Sequence, residues 1–161
     1  MMSKSLRFTH KTRKMPVVNE KENARFRQLK PRLKYFKIEP DPKNPKSQTM
    51  YLAKGVPLIA FKNHKDKKHG NEWLNSEQFT VEKIDSEDTV LINDEGEQIK
   101  VATEQIVKNF LLGFCITYHK SQGKTFDKPY TIWDWSHSNV GRIAKYVALS
   151  RTTHMKNIYI K

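Results

Sequence analysis

The chain has 161 residues, 37% hydrophobic and 11% aromatic, and sets 30 Lys+Arg against 17 Asp+Glu for a formal net charge of +13. That length buries one sizeable core. The longest apolar run, from about Phe110 to Thr117, falls far short of the roughly 20 residues a spanning helix needs, and no charged-then-apolar leader opens the chain, so membrane insertion and secretion are not expected.

In chain order, Ser5 to Thr9 places Leu6 and Phe8 two apart, the spacing of a short strand, and Pro16 suits the first turn of a helix over Met15 to Gln28. Lys30 to Gln48 contains Pro31, Pro40, Pro42 and Pro45 and reads as a connector. Between Met50 and about Thr103 come short β-rich runs, Val56 to Phe61, Gln78 to Ile84, Thr89 to Ile92 and Gln98 to Val101, with Asp94-Glu95-Gly96 the clearest turn. Strands at such spacing predict a small barrel. Glu104 to Leu111 is expected as a short helix or turn. Phe114 to Tyr118 and Tyr130 to Trp135 are apolar without alternation, as strands covered on both faces are, and Arg142 to Ser150 reads as a helix before a last strand at Asn157 to Ile160. Strands alternating with helices predict a parallel sheet with right-handed crossovers. Cys115, inside one such strand, is expected as a buried core residue rather than a catalytic thiol, and as the single cysteine it fits a reducing compartment.

The charge is sorted along the chain. Residues 1–70 carry nineteen basic and five acidic side chains, residues 71–110 three and ten, and residues 111–161 eight and two. Lys outnumbers Arg 23 to 7, so part of the excess is ordinary solvation of a lysine-rich surface. Its segregation into the two ends points instead to a polyanion, gripped without regard to sequence and released by salt.

The densest signal lies in the C-terminal third. An apolar strand runs into Thr117-Tyr118-His119-Lys120-Ser121-Gln122-Gly123, and after a second strand comes Tyr146-Val147-Ala148-Leu149-Ser150-Arg151. A glycine-closed polar loop at a strand end gathers hydroxyl, imidazole, ammonium and backbone N–H groups at one spot, which suits a phosphate oxygen. An arginine at a helix end suits a second phosphate, or is simply favoured there by the helix dipole.

These two segments, in this order, resemble motifs V and VI of superfamily 1 helicases, of the five-prime-to-three-prime group that includes RecD-like and PIF-type enzymes. Ser5-Leu6-Arg7-Phe8-Thr9-His10-Lys11-Thr12-Arg13 resembles the strand-to-loop segment called motif IVa, with His10 where the family has asparagine. Leu52-Ala53-Lys54-Gly55-Val56-Pro57 with Lys62-Asn63 resembles the start of a small barrel inserted in the second motor domain. The resemblance implies an α/β fold: a RecA-like parallel sheet with helices on both faces, formed by residues 1–50 and 104–161 and interrupted at 51–103 by an SH3-like β-barrel.

It also implies roles. Arg151 would be the arginine finger, and Gln122 and Gly123 would line the nucleotide side of the same cleft. Thr9, His10, Lys11, Lys62, Asn63, Thr117, His119, Lys120 and Ser121 would hold the backbone of single-stranded DNA, RNA not being distinguished from it. ATP and Mg²⁺ would be held mainly by a first RecA-like domain of the same or another chain, because neither a G-x-x-x-x-G-K-[ST] loop nor an acidic pair is present here. Gly123-Lys124-Thr125 imitates the end of such a loop, but His119 stands where its first glycine belongs, and a strand follows instead of a helix.

Two clusters remain. His64, Asp66 and His69 lie among lysines that repel a cation, so no metal is assigned and the run is read as a hairpin touching nucleic acid. Tyr130, Trp133 and Trp135 read as strand aromatics of the core, with base stacking as the alternative. The resulting expectation is the C-terminal domain of an ATP-dependent DNA helicase, inactive as a hydrolase by itself. Its rivals are a non-catalytic nucleic-acid-binding protein, or a subunit supplying Arg151 in trans to another ATPase.

Overall fold

The computed structural model describes residues 4–7, 14–44, 47–65, 70–138 and 140–161. In chain order these form β1 (Lys4–Arg7), α1 (Lys14–Leu29), β2 (Phe36–Ile38), β3 (Met50–Leu52), β4 (Pro57–Ala60), β5 (His64–Lys65) and β6 (Glu72–Trp73). There follow β7 (Gln78–Ile84), β8 (Asp88–Asn93), β9 (Gln98–Ala102), α2 (Thr103–Asn109) and β10 (Phe110–Leu112). The last part holds β11 (Cys115–Thr117), a 3₁₀ turn at His119–Ser121, β12 (Tyr130–Trp133), α3 (Arg142–Leu149) and β13 (Ile158–Ile160). They divide into two compact units, Met1–Met15 with Phe114–Lys161, and Pro16–Gly113.

The first unit is a parallel sheet in the order β11-β1-β12-β13. β11 and β12 lack alternation because both of their faces are covered: Cys115 and Ile116 are buried in succession, as are Tyr130, Thr131 and Ile132, around Leu6. α3 buries Ala144 and Ala148, one turn apart, so its small residues mark the side facing the core. Connections leave β1 and β12 toward opposite edges of the sheet, which makes the carboxyl ends of these two strands a topological switch point.

The second unit is built on an antiparallel sheet in the order β10-β4-β7-β8-β9. Among the described residues no pairing joins its end strands β9 and β10. Its core is formed by Leu58, Phe79, Val81, Leu91, Val101, Ile106, Phe110 and Leu112. The β8–β9 turn works as its residues dictate: Asn93 Oδ1 accepts from Glu95 and Glu97 N–H at 3.0 and 2.9 Å, and Gly96 takes φ +87°. At the β7–β8 turn, Asp85 Oδ1 accepts from Asp88 N–H at 2.8 Å and Glu87 N–H at 3.0 Å, and these bonds hold its carboxyl below the ordinary aspartate range.

The compact units divide after Met15 and after Gly113, whereas the sequence suggests boundaries near 50 and 103. Two buried amides explain the difference. Asn23 of α1 exchanges both of its amide hydrogen bonds with the Tyr51 backbone, each at 2.9 Å, and Gln48 donates to Pro16 O and accepts from Leu112 N–H, both at 3.2 Å. The expected connector is therefore partly structural: it contains β2, paired antiparallel with β3, and its end carries the buried Gln48.

Candidate nucleic-acid and phosphate interface

The carboxyl end of β11 leads into the first of the C-terminal motif segments. β11 ends at Thr117 and the chain turns at once into the 3₁₀ turn, where Ser121 N–H bonds Tyr118 O at 3.0 Å. Gln122 N–H bonds His119 O and Lys124 N–H bonds Ser121 O, at 3.2 and 3.1 Å, so two tight turns follow each other. Gly123 takes φ +75°, the left-handed backbone that a side chain disfavours, and a Cβ there would meet nothing within 4 Å. The glycine is thus required by conformation and leaves open space beside the turn.

Within this loop His119 is exposed, Thr117 and Lys120 are half-buried, and Gln122 and Gly123 are exposed. Thr117 Oγ1 accepts weakly from Lys120 N–H at 3.4 Å, and the His119 ring lies 3.8 Å from that of Tyr118, centroid to centroid. Ser121 departs from its expected place: it is fully buried and its hydroxyl donates to Tyr118 O at 2.6 Å, so the turn itself consumes the group expected to meet a phosphate.

Arg151 follows α3, and its half-buried side chain reaches the same loop. Nε donates to Val147 O at 2.8 Å, Nη1 to Ser121 O and Lys124 O at 3.2 Å each, and Nη2 to Ser150 Oγ at 2.8 Å. The two carbonyls that Nη1 takes bracket Gln122 and Gly123. A guanidinium has five N–H groups, so among the described residues one on Nη2 is left for a further acceptor. Each of these four partners is a backbone carbonyl or a hydroxyl. Beside it the buried Tyr130 donates to Ala148 O at 2.7 Å, and burial pushes its phenol up to about 12 against the opposing charge of Arg151.

The remaining candidates are distributed elsewhere. Thr9, His10 and Lys11 lie outside the described residues, as do Asp66 and His69. Lys62 and Asn63 belong to the other unit and are both exposed; Asn63 Oδ1 accepts from Asn75 N–H at 2.6 Å, and the Lys62 ammonium stands 5.6 Å from the centre of the Phe61 ring. His64 packs on Trp73 at 4.9 Å between ring centroids. Cys115 is buried, as its strand position predicts. Two features had no sequence signal: Asp134 takes φ +63°, and Lys145 of α3 stands over the Trp135 ring.

No protein-family model matches the sequence, and no curated protein matches it. Solved structures do. A Pif1 helicase, from work on unwinding of forked double-stranded DNA by two coordinating Pif1 helicases, matches 99% of this chain with a TM-score of 0.64 at 20% identity. Bacteroides Pif1 bound to single-stranded DNA matches 98% at 0.65 and 17% identity, and the Bacteroides enzyme with ADP-AlF3 and single-stranded DNA matches 98% at 0.58 and 22% identity. The chain spans 38% to 40% of the length of these helicases. At such identities the likeness defines the fold: a mixed α/β chain folded like part of a Pif1 helicase.

One unused guanidinium N–H and an open glycine turn suit an oxygen at the edge of a site. Gly123-Lys124-Thr125 leads into β12 and not into a helix, so no helix N-terminus receives a phosphate there.

Proposed function

We propose that this chain is the second RecA-like domain of a Pif1-like, ATP-dependent DNA helicase, with an SH3-like insertion within Pro16–Gly113. Thr117, His119 and Lys120, with Thr9, His10 and Lys11, grip the backbone of single-stranded DNA, and Lys62 and Asn63 of the insertion add to that grip. Ser121 closes the loop instead of touching DNA. Gln122, Gly123 and Arg151 face a nucleotide whose phosphates and Mg²⁺ are held by a first RecA-like domain. ATP bound there supplies the free energy for stepping; this chain's part is to stabilise charge at a terminal phosphate and to hold one end of the strand while the domains move.

One observation carries this reading. The segments that resemble motifs V and VI meet at a single point, where Arg151 Nη1 takes the carbonyls on either side of Gln122 and Gly123. Purified alone, the chain is expected to bind single-stranded DNA in a salt-sensitive way and to hydrolyse no ATP. Combined with a first RecA-like domain carrying a phosphate loop, it is expected to support hydrolysis that Arg151→Ala lowers by about 10³. Mg²⁺-dependent hydrolysis by the chain alone, lost on Arg151→Ala, would sink the proposal.

The same side chain favours one rival. With four of its hydrogen bonds made inside the protein, Arg151 is explained as well by a staple between α3 and the loop, in a non-catalytic nucleic-acid-binding protein. In that case Arg151→Ala lowers stability and leaves hydrolysis by the combined domains unchanged.

A further inference from the structure

The phosphate-gripping loop does not use all of the carboxyl edge of the parallel sheet. Arg7 of β1 is in register with Thr117 of β11 on one side and with Trp133 of β12 on the other. Thr117 and Trp133 therefore stand level, two strand spacings or roughly 10 Å apart. Trp133 ends β12 at the switch point of the sheet, the place where open α/β sheets receive ligands. The chain leaves it through Asp134 at φ +63°, left-handed backbone that a non-glycine residue seldom adopts and that clusters at functional sites. Trp135 follows. Neither indole is fully buried, unlike Tyr130 at the start of the same strand. Each is faced by an ammonium: Lys145 stands 5.1 Å from the Trp135 ring centre, and Lys161 5.1 Å from that of Trp133.

We propose that Trp135 and Trp133, with Lys145 and Lys161, form a base-stacking platform on which single-stranded nucleic acid continues from the Thr117–Lys120 loop. An indole offers its face to any base, and an ammonium beside it neutralises the phosphate that accompanies the base, so the pairing of ring and cation suits a nucleotide and carries no sequence preference. The left-handed Asp134 sets the two indoles on a turn rather than along one strand. The charge and the aromatic surface come from three elements, β12, α3 and the end of β13, which converge at this one edge because parallel strands end there and the crossover helix begins there.

The platform rests on the reading that this unit grips single-stranded nucleic acid, and its test separates the two. The 161-residue chain is titrated with a short labelled oligothymidylate, following the label's anisotropy and the protein's tryptophan fluorescence together. Trp73, buried in the other unit, supplies a constant background. Binding is expected to quench the emission, and to do so still in Trp133→Phe, where Trp135 is the responsive ring. Trp135→Ala is expected to weaken binding about fivefold or more, Trp135→Phe to retain most of it, and Lys145→Ala to lower the slope of log affinity against log salt by about one. Full-affinity binding in Trp135→Ala overturns the platform and leaves the backbone grip standing. So does binding to Trp133→Phe without quenching, a result that does not depend on how Trp135→Ala folds. If the unaltered chain binds no oligonucleotide at low salt, both readings fall.

Discussion

Tyr130 shows how single residues in this fold serve position before chemistry. Its ring is buried against Phe126 at 5.1 Å between centroids, and its hydroxyl donates to Ala148 O, one residue before the end of α3. Tyr130→Phe keeps the ring and loses that bond, so a loss of about 1 kcal/mol is expected in urea unfolding at neutral pH. The pH dependence follows from the raised phenol. The unfolded chain gives up this proton near the ordinary tyrosine value and the folded chain only near 12, so the stabilisation is fully present below about pH 10 and is lost as pH climbs from there toward 12. Unfolding midpoints measured across that window should fall more steeply for the unaltered chain than for Tyr130→Phe. Ser121 makes the same point within the candidate site. Its hydroxyl looked like a phosphate ligand in a polar loop, and burial turned it into a bond that closes the turn.

Among the elements, β4 and β10 show how little room the antiparallel sheet leaves. Leu58 pairs with Leu112, both fully buried, and Gly113 N–H bonds Pro57 O at 2.8 Å immediately afterwards. A Cβ at Gly113 would lie 3.0 to 3.2 Å from the backbone of Leu58, which has no flexible end to move aside. Gly113→Ala is therefore expected to cost about 1–3 kcal/mol by chemical denaturation, by forcing apart the pair that joins β10 to the sheet. Most elements were legible beforehand for local reasons. β7 spans Gln78–Ile84, and α3 ends one residue short of the helix read from sequence, because alternation and capping act over a few residues. The connector from Lys30 was less legible. β2 has three residues, and its pairing with β3 and the docking of Gln48 depend on contacts that no local pattern carries.

At the scale of the whole molecule, the excess of positive charge governs how it meets a polyanion. Acidic side chains of the second unit are partly answered by ion pairs, the exposed Lys54–Glu82 and Lys65–Glu72 at 3.5 Å, which add little to stability, and Lys100–Asp88 at 2.9 Å with its carboxylate half-buried; all three reduce the free charge of that surface. The first unit has eight basic and two acidic residues from 111 onward. If three phosphates are contacted there, log affinity for single-stranded DNA should fall with log salt at a slope of roughly −2. A titration series from low to physiological salt measures it, and a slope near zero would mean that the charge serves only solvation.

Composition and order of residues alone determined the α/β alternation, the basic ends around an acidic middle, the lack of a phosphate loop and the pairing of a glycine-closed loop with a helix-end arginine. Each depends on residue type and spacing along the chain, which sequence carries directly. Only tertiary structure decided that Arg151 takes the carbonyls of Ser121 and Lys124, that Ser121 turns inward, that Asn23 ties α1 to β3 and that Trp133 stands level with Thr117 across β1. Those are relations between residues distant in sequence, set by strand register and burial, and the free energy that selects them exists only once the sheets have formed.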